Sequence, residues 1–322
     1  MGRGDRPRVG LIGAGGIGRV HAEALAQLGV ELRIFSRSNA QELAADVGAT
    51  AAGSLGELLT DCDVVDITTP TTTHLQYARE AIAAGVHVIC EKPLTLSVDD
   101  SVRMIAAAEH AGVRLLPAHV VRYFPDYEGI HAHVVSGEIG TPVSLRFSRS
   151  SAAPPPGSWF FDDARSGGII TDQMIHDIDQ ALWLAGPVDR VSAMQSQAPG
   201  QGTYPERATA AVVLRHRSGA LSVLQGRWGS ADEPFRTAVE VAGTHGVLRH
   251  RSPEPDAAGA AGYLPQTSEQ ESPYLVQLRD FLDAIRTGRD AMVSAQDGLR
   301  AVAVAAAARE SVRTGAAVPL KD

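Results

Sequence analysis

Along the first part of the chain, short apolar runs alternate with stretches in which apolar positions recur at helical spacing, the mark of strands and amphipathic helices taken in turn. The runs predict strands at 8–12, 31–35, 63–68, 86–90 and 114–118. The segments between them predict helices at 17–28, 40–47, 73–84 and 98–111. Ser54 with Glu57 after it, and Ser97 ahead of Asp99 and Asp100, read as helix starts. Strand and helix in regular succession build a parallel sheet, so residues 1–120 are expected to form one α/β domain.

Beyond 120 the pattern changes. A helix at 125–136, a strand at 143–148, a turn-rich stretch at 153–157 and a helix at 171–184 come first. Five β-like runs follow at 188–195, 208–215, 220–226, 236–242 and 247–251. Tight turns at 216–219 and 243–246 join some of them, which points to an antiparallel or mixed sheet. Residues 252–272 are poor in apolar side chains and read as a surface loop, and helices at 274–286 and 295–313 close the chain. The expected fold class is α/β in two domains, 1–120 with the parallel sheet and 121–322 with the antiparallel or mixed one.

Length and charge narrow what such a molecule can do. The 322 residues are enough for two cores, and no apolar stretch is long enough to span a bilayer. A formal charge of −8 supplies no basic face, which argues against nucleic acid or an anionic membrane as partner. Cys62 and Cys90 are the only cysteines and form no metal or disulfide pattern, so reduced thiols and a cytoplasmic location are expected. Arg3, Arg6 and Arg8 ahead of the apolar residues 9–18 imitate an export signal, but five glycines in those ten positions make a poor helix. A buried strand running into a turn explains the same letters better.

That turn carries the first candidate chemistry. Gly13-Ala14-Gly15-Gly16-Ile17-Gly18 has G-x-G-x-x-G spacing between a predicted strand and a predicted helix. The first glycine permits the tight turn, the second lets backbone approach a pyrophosphate, and the third lets helix pack on strand. The helix start then presents N–H groups to the phosphates, so Gly13, Gly15, Gly16, Ile17 and Gly18 are expected to hold a dinucleotide. The second strand ends Phe35-Ser36-Arg37 with no carboxylate before Glu42. Ser36 and Arg37 suit a ribose 2′-phosphate, so NADP(H) is the expected cofactor, with NAD(H) also usable.

Glu91-Lys92-Pro93 falls at the carboxyl end of the predicted strand 86–90, where open α/β sheets bind ligands. Lys92 and Lys321 are the only lysines amid many arginines, which suggests that position 92 needs a compact, titratable ammonium. Further along, Asp172, His176 and Asp179 are spaced to share one face of the helix predicted at 171–184.

With these residues in place the chain resembles the Gfo/Idh/MocA family, named for glucose-fructose oxidoreductase, inositol dehydrogenase and MocA. The resemblance runs over nearly the whole chain. It takes in the glycine turn, Asp66-Ile67-Thr68-Thr69-Pro70-Thr71-Thr72-Thr73-His74, Glu91-Lys92-Pro93, Arg122-Tyr123-Phe124-Pro125, Gly167-Gly168, and Asp172 with His176 and Asp179. It implies a Rossmann domain followed by an α/β domain with a large open sheet, and NAD(P)-linked redox chemistry on a sugar, polyol or related alcohol. It also implies that Thr68, Thr69, Pro70, Thr73, His74 and Glu91 line the cofactor.

In the family pattern His176 is the general base for alcohol oxidation and Lys92 orients the hydroxyl and stabilises charge on its oxygen. Asp172 holds Lys92 or His176, and no metal is needed. His119, Arg122 and Trp159 are candidate substrate contacts beside Lys92, Asp172 and His176. Family members often carry a basic residue after the tryptophan, where this chain has Phe160 and Phe161, which suggests a more apolar wall. An open sheet face implies a homodimer or homotetramer. Two other readings stay open on sequence: a dinucleotide-binding sensor or regulator without turnover, and an NAD-assisted glycoside hydrolase of the same fold.

Overall fold

The computed structural model describes residues 6–155, 157–196, 208–252 and 271–320. The loop expected at 252–272 lies almost wholly outside the described residues, as does Arg3. Contacts divide the chain into two compact units, one of Met1–Thr95, Asp99–Tyr123 and Glu269–Leu299, the other of Leu96–Val98, Phe124–Ser268 and Arg300–Asp322. A single cut at 120 does not reproduce this division, because the segment Glu269–Leu299 packs with the first unit.

The first unit is built on a six-stranded sheet of β1 (Arg8–Ile12), β2 (Glu31–Phe35), β3 (Thr50–Ala51), β4 (Val64–Ile67), β5 (His87–Glu91) and β6 (Leu115–Ala118). Strand order is β3-β2-β1-β4-β5-β6 and every pairing is parallel, the doubly wound dinucleotide-fold order. Its helices are α1 (Gly16–Gln27), α2 (Ala40–Val47), α3 (Leu55–Asp61), α4 (His74–Ala83) and α5 (Val98–Ala111). The strands β4 and β6 are buried along their whole length, as expected of parallel strands covered on both faces. Ser54 caps α3 as its spacing predicts, its Oγ accepting the Glu57 N–H at 3.1 Å.

In the second unit α6 (Pro125–Val135) leads to the long strand β7 (Pro142–Ala152), then to α7 (Asp163–Ser166), α8 (Gly168–Asp172) and α9 (Ile175–Ala185). The strands β8 (Val188–Gln195), β9 (Ala208–His216), β10 (Leu221–Gly229), β11 (Arg236–Gly243), β12 (Val247–Arg251) and β13 (Val318–Pro319) complete its sheet. The order is β12-β11-β7-β10-β9-β8-β13, antiparallel except where β7 pairs with β10. Burial alternates strictly along β9 and β10, so one face of the sheet is packed and the other is not.

Near the end of the chain, α10 (Pro273–Thr287) packs on α1, and α11 (Ala295–Thr314) precedes β13. Leu275, Leu278 and Phe281 of α10 join the core formed by β1, α1 and β2. Among the described residues no helix is long and apolar enough to cross a membrane.

Candidate active site

The β1–α1 turn explains its glycines by two different requirements. Gly13 has φ +115°, and a Cβ there would stand 2.9 Å from Thr68 Oγ1, while one on Gly18 would run into the Gly13 carbonyl oxygen. Those two positions are set by the chain itself. A Cβ on Gly15 or Gly16 would meet nothing within 4 Å, so the absent side chains leave open space in front of the helix. The start of α1 has no side-chain cap and no acidic residue, and its first N–H groups have no partner in the helix. The turn therefore fits a dinucleotide pyrophosphate. Thr68 supports it, its Oγ1 lying 3.2 Å from the carbonyl oxygens of both Ile12 and Gly13.

At the end of β2, Ser36 is half-buried and Arg37 is exposed. Asn39 takes the left-handed φ of 61° at the start of α2. No carboxylate precedes Glu42, as read from the sequence.

After β4 the chain turns through Thr69, Pro70 and Thr73, all half-buried. Thr73 Oγ1 lies 2.8 Å from both Thr69 Oγ1 and the Pro70 carbonyl oxygen. His74 opens α4 and is buried; its Nδ1 is 2.9 Å from the Pro93 carbonyl oxygen and its Nε2 is 2.8 Å from that of Thr69. Burial pushes the His74 imidazole down in pKa, and the two carbonyls pull the other way. Both ring nitrogens are thus engaged by backbone, and His74 ties the β4 loop to the turn after β5.

Glu91 is buried at the end of β5 and Lys92 beyond it is half-buried. One carboxylate oxygen of Glu91 accepts the Lys92 backbone N–H at 3.0 Å. The other faces His21 of α1 at 3.2 Å, and the opposite ring nitrogen of His21 is 2.8 Å from Asp66 of β4. Burial would lower the His21 imidazole, but the charge of Asp66, with Glu91 behind it, overrides this and pushes it up to about 10. Burial likewise acts to raise Glu91, and His21 with Lys92 brings it below its ordinary value.

Two residues expected as substrate contacts occupy the interior of the same unit. His119 is buried after β6. Arg122 is buried with its Nη1 3.2 Å from the Met292 carbonyl oxygen and 3.4 Å from Asp297, which fastens that segment to the turn.

In the second unit the structure corrects one expectation. Residues 171–184 do not form one helix: α8 ends at Asp172 and α9 begins at Ile175. The Met174 N–H reaches five residues back to the Ile169 carbonyl oxygen at 2.9 Å, which widens the turn and breaks the helix. Asp172 and His176 therefore sit on two helices, and helical spacing does not place them on one face. Asp172 and Asp179 are buried and His176 is half-buried. Beside His176, Asp177 is buried in a two-pronged pair with Arg149 of β7 at 3.0 and 2.7 Å. Thr171 Oγ1 and both amide atoms of Gln173 and Gln180 are buried with no hydrogen-bond partner among the described residues.

Trp159 is half-buried in a short turn and stacks on Phe160 with ring centres 4.1 Å apart. Phe161 is buried edge-on against Trp228, 6.0 Å away, and Trp228 is part of the core.

Residues 7–119 match the oxidoreductase family with an NAD-binding Rossmann fold, and residues 127–249 match the GFO/IDH/MocA C-terminal domain. The chain belongs to the GFO/IDH/MocA oxidoreductase family. It is similar to myo-inositol 2-dehydrogenase of Thermotoga maritima, 32% identical over 336 residues that cover 98% of this chain and 99% of that one. A D-xylose 1-dehydrogenase (NADP(+)) of Haloferax volcanii is 30% identical, covering 97% and 99%. The crystal structure of GenD2 from gentamicin A biosynthesis in complex with NAD superposes with a TM-score of 0.87, at 27% identity, covering 98% of this chain and 97% of that one.

Sequence reasoning passed over His21, Arg149 and Asp177, and gave Asp66 no role beyond its place in the run to His74. The signal was present for the acids. Asp66 interrupts the apolar strand Val64–Ile67, and Asp177 lies among the apolar residues of α9; a carboxylate in such a setting requires a partner.

Proposed function

We propose that the chain transfers hydride between a nicotinamide dinucleotide and a secondary alcohol or ketone of a sugar, cyclitol or similar polyol. The observation that carries this reading is the β1–α1 turn, where Gly15 and Gly16 lack side chains that nothing within the protein excludes. The bound dinucleotide supplies the hydride acceptor or donor. Backbone N–H groups of Gly15–Gly18 hold its pyrophosphate, the Gly13 N–H being taken by the Phe35 carbonyl, and Thr68, Thr69, Pro70, Thr73 and Glu91 line it. His74 acts through the backbone, by holding the loop to Pro93.

Lys92 orients the substrate hydroxyl and stabilises charge on its oxygen. His176 takes the hydroxyl proton during oxidation and returns it during reduction, a task an imidazole performs near neutral pH. Asp172 holds Lys92 or His176, as the family pattern implies. Trp159, stacked on Phe160, supplies an apolar wall. The names of the inositol and xylose dehydrogenases similar to this chain support the same substrate class.

NADP(H) is the favoured cofactor in this reading, because β2 ends in Ser36 and Arg37 with no carboxylate before Glu42. A reducing, cytoplasmic location agrees with two free, buried cysteines. A homodimer or homotetramer is supported by exposed Met194, Val213, Leu221 and Val223 on the unpacked face of the second sheet, where Val213 and Val223 are direct partners. Light scattering at micromolar concentration should then give at least twice the 33.9 kDa chain mass. The activity itself is tested by following reduced nicotinamide with each cofactor against myo-inositol, D-xylose and a series of other sugars and polyols. Formation of reduced cofactor supports the reading; binding of cofactor with no turnover on any of them removes it.

A further inference from the structure

The buried surface of α1 carries one ionisable side chain, and its partners lie at the edge of the candidate site. His21 is fully buried, with Asp66 Oδ2 2.8 Å from Nδ1 and Glu91 Oε1 3.2 Å from Nε2. The Tyr274 ring of α10 lies beside it, centres 5.8 Å apart. Only Nδ1 has hydrogen-bond geometry, toward Asp66; Nε2 faces Glu91 at ion-pair distance. A neutral ring, with one N–H, would set a lone pair against one of the two carboxylates, whereas the imidazolium sets an N–H toward each. Two buried carboxylates and one imidazolium leave a net negative charge, which the Lys92 ammonium beyond β5 opposes. The remaining oxygen of Glu91 holds the Lys92 backbone N–H at 3.0 Å. An unbroken line of contacts therefore runs from β4 through the ring of His21 and the Glu91 carboxylate to the backbone of Lys92.

We propose that His21 is a positioning residue: as an imidazolium bridging Asp66 and Glu91, it fixes the Glu91 carboxylate and, through it, the place and electrostatic setting of Lys92. It rests on the reading of Lys92 as a catalytic group for its use, though not for its physical content. Without the ring charge, two buried carboxylates lose their shared counter-ion. One of them then takes a proton, and the opposing charge felt by Lys92 changes. A merely structural ring would be replaceable without effect on Lys92.

The chain's two lysines, Lys92 and Lys321, allow a readout that needs no substrate. Full-length protein is labelled with trace acetic anhydride across a pH series, and the ratio of label at Lys92 to label at Lys321 is measured by peptide mass spectrometry. In His21→Gln the ratio should change by about threefold or more, because thiol and amine reactivity alike follow the local charge. Leu58→Ala, a core cavity elsewhere in the same unit, should lower stability and leave the ratio unchanged. In the wild type, imidazole nitrogen chemical shifts should show His21 still protonated at about pH 9, where an ordinary imidazole is neutral. A ring that titrates near its ordinary value, or an unchanged ratio in folded His21→Gln, overturns the proposal. If His21→Gln does not fold, Asp66→Asn, which removes the carboxylate on the far side of the ring, takes its place in the same labelling, and an unchanged ratio in that folded variant overturns the proposal. If Lys92→Ala keeps full turnover while the labelling shift is seen, the catalytic reading falls and the positioning stands.

Discussion

His74 Nδ1 lies 2.9 Å from the carbonyl oxygen of Pro93, so the first residue of α4 is fastened to the turn that follows Lys92. Its other ring nitrogen lies 2.8 Å from the Thr69 carbonyl oxygen, and the ring is buried. The neutral ring has one N–H, so replacing His74 with alanine leaves the carbonyl that accepts this N–H without that partner. His74→Ala should cost about 1–3 kcal/mol in urea unfolding. Unchanged stability would mean that the tie is not made in solution.

The glycines of the phosphate turn should separate folding from binding. Gly18→Ala drives a Cβ into the Gly13 carbonyl oxygen and should destabilise the protein by well over 1 kcal/mol. Gly15→Ala meets nothing within 4 Å, at an ordinary φ of −84°, and should leave unfolding nearly unchanged. It should weaken dinucleotide binding about tenfold or more in calorimetry, since the new methyl group occupies the phosphate's space. Equal affinities for wild type and Gly15→Ala would remove the turn from the cofactor site.

Cofactor choice rests on Ser36 and exposed Arg37 after β2. NADP(H) should bind about 1–3 kcal/mol more tightly than NAD(H), the range of a charge-assisted hydrogen bond. Arg37→Ala should erase most of that gap and leave NAD(H) binding intact. Calorimetry giving one affinity for both cofactors in the wild type would contradict it.

Much of this was legible in the chain, and the reasons differ by element. The strands at 8–12, 31–35 and 247–251 coincide with β1, β2 and β12. The strand β1 is buried from Val9 to Ile12 and reads as a plain apolar run, whereas β2 alternates, with Leu32 and Ile34 buried between Glu31, Arg33 and Phe35. The strand β7 extends past 148 to Ala152 because Arg149, a polar interruption in the sequence, is buried against Asp177. The break between α8 and α9 has no side-chain signature: Gln173 and Met174 suit a helix, and a backbone bond from Met174 to Ile169 makes the interruption. The packing of α10 with the first unit joins segments far apart in sequence, which periodicity within either does not reveal. Of the candidate site, the glycine turn was singled out by its spacing and Glu91-Lys92-Pro93 by its place after a predicted strand, whereas the pairing of His21 with Asp66 needed the fold to bring α1 and β4 together.

The unmatched amide of Gln173 offers a test with two opposite signs. It is buried with neither amide atom bonded among the described residues, so Gln173→Leu should leave stability equal or higher in thermal unfolding. If the amide meets a substrate hydroxyl, KM for the active sugar or polyol should rise about tenfold, as for loss of one hydrogen bond in a closed site. Lower stability with unchanged KM would assign Gln173 to the scaffold instead.

In the proposed function Lys92 and His176 carry alcohol oxidation. The most direct measurement is steady-state reduction of the nicotinamide by the active sugar or polyol in wild type, Lys92→Ala, His176→Ala and the double variant, with dinucleotide affinity measured alongside. Each single variant should lose about 10²–10⁴-fold in kcat with little change in that affinity. The double variant should fall far short of the product of the two losses, because groups acting together are not independent. Near-normal turnover in either single variant would contradict the assignment. Dinucleotide binding with no turnover by the wild type would instead favour a sensor.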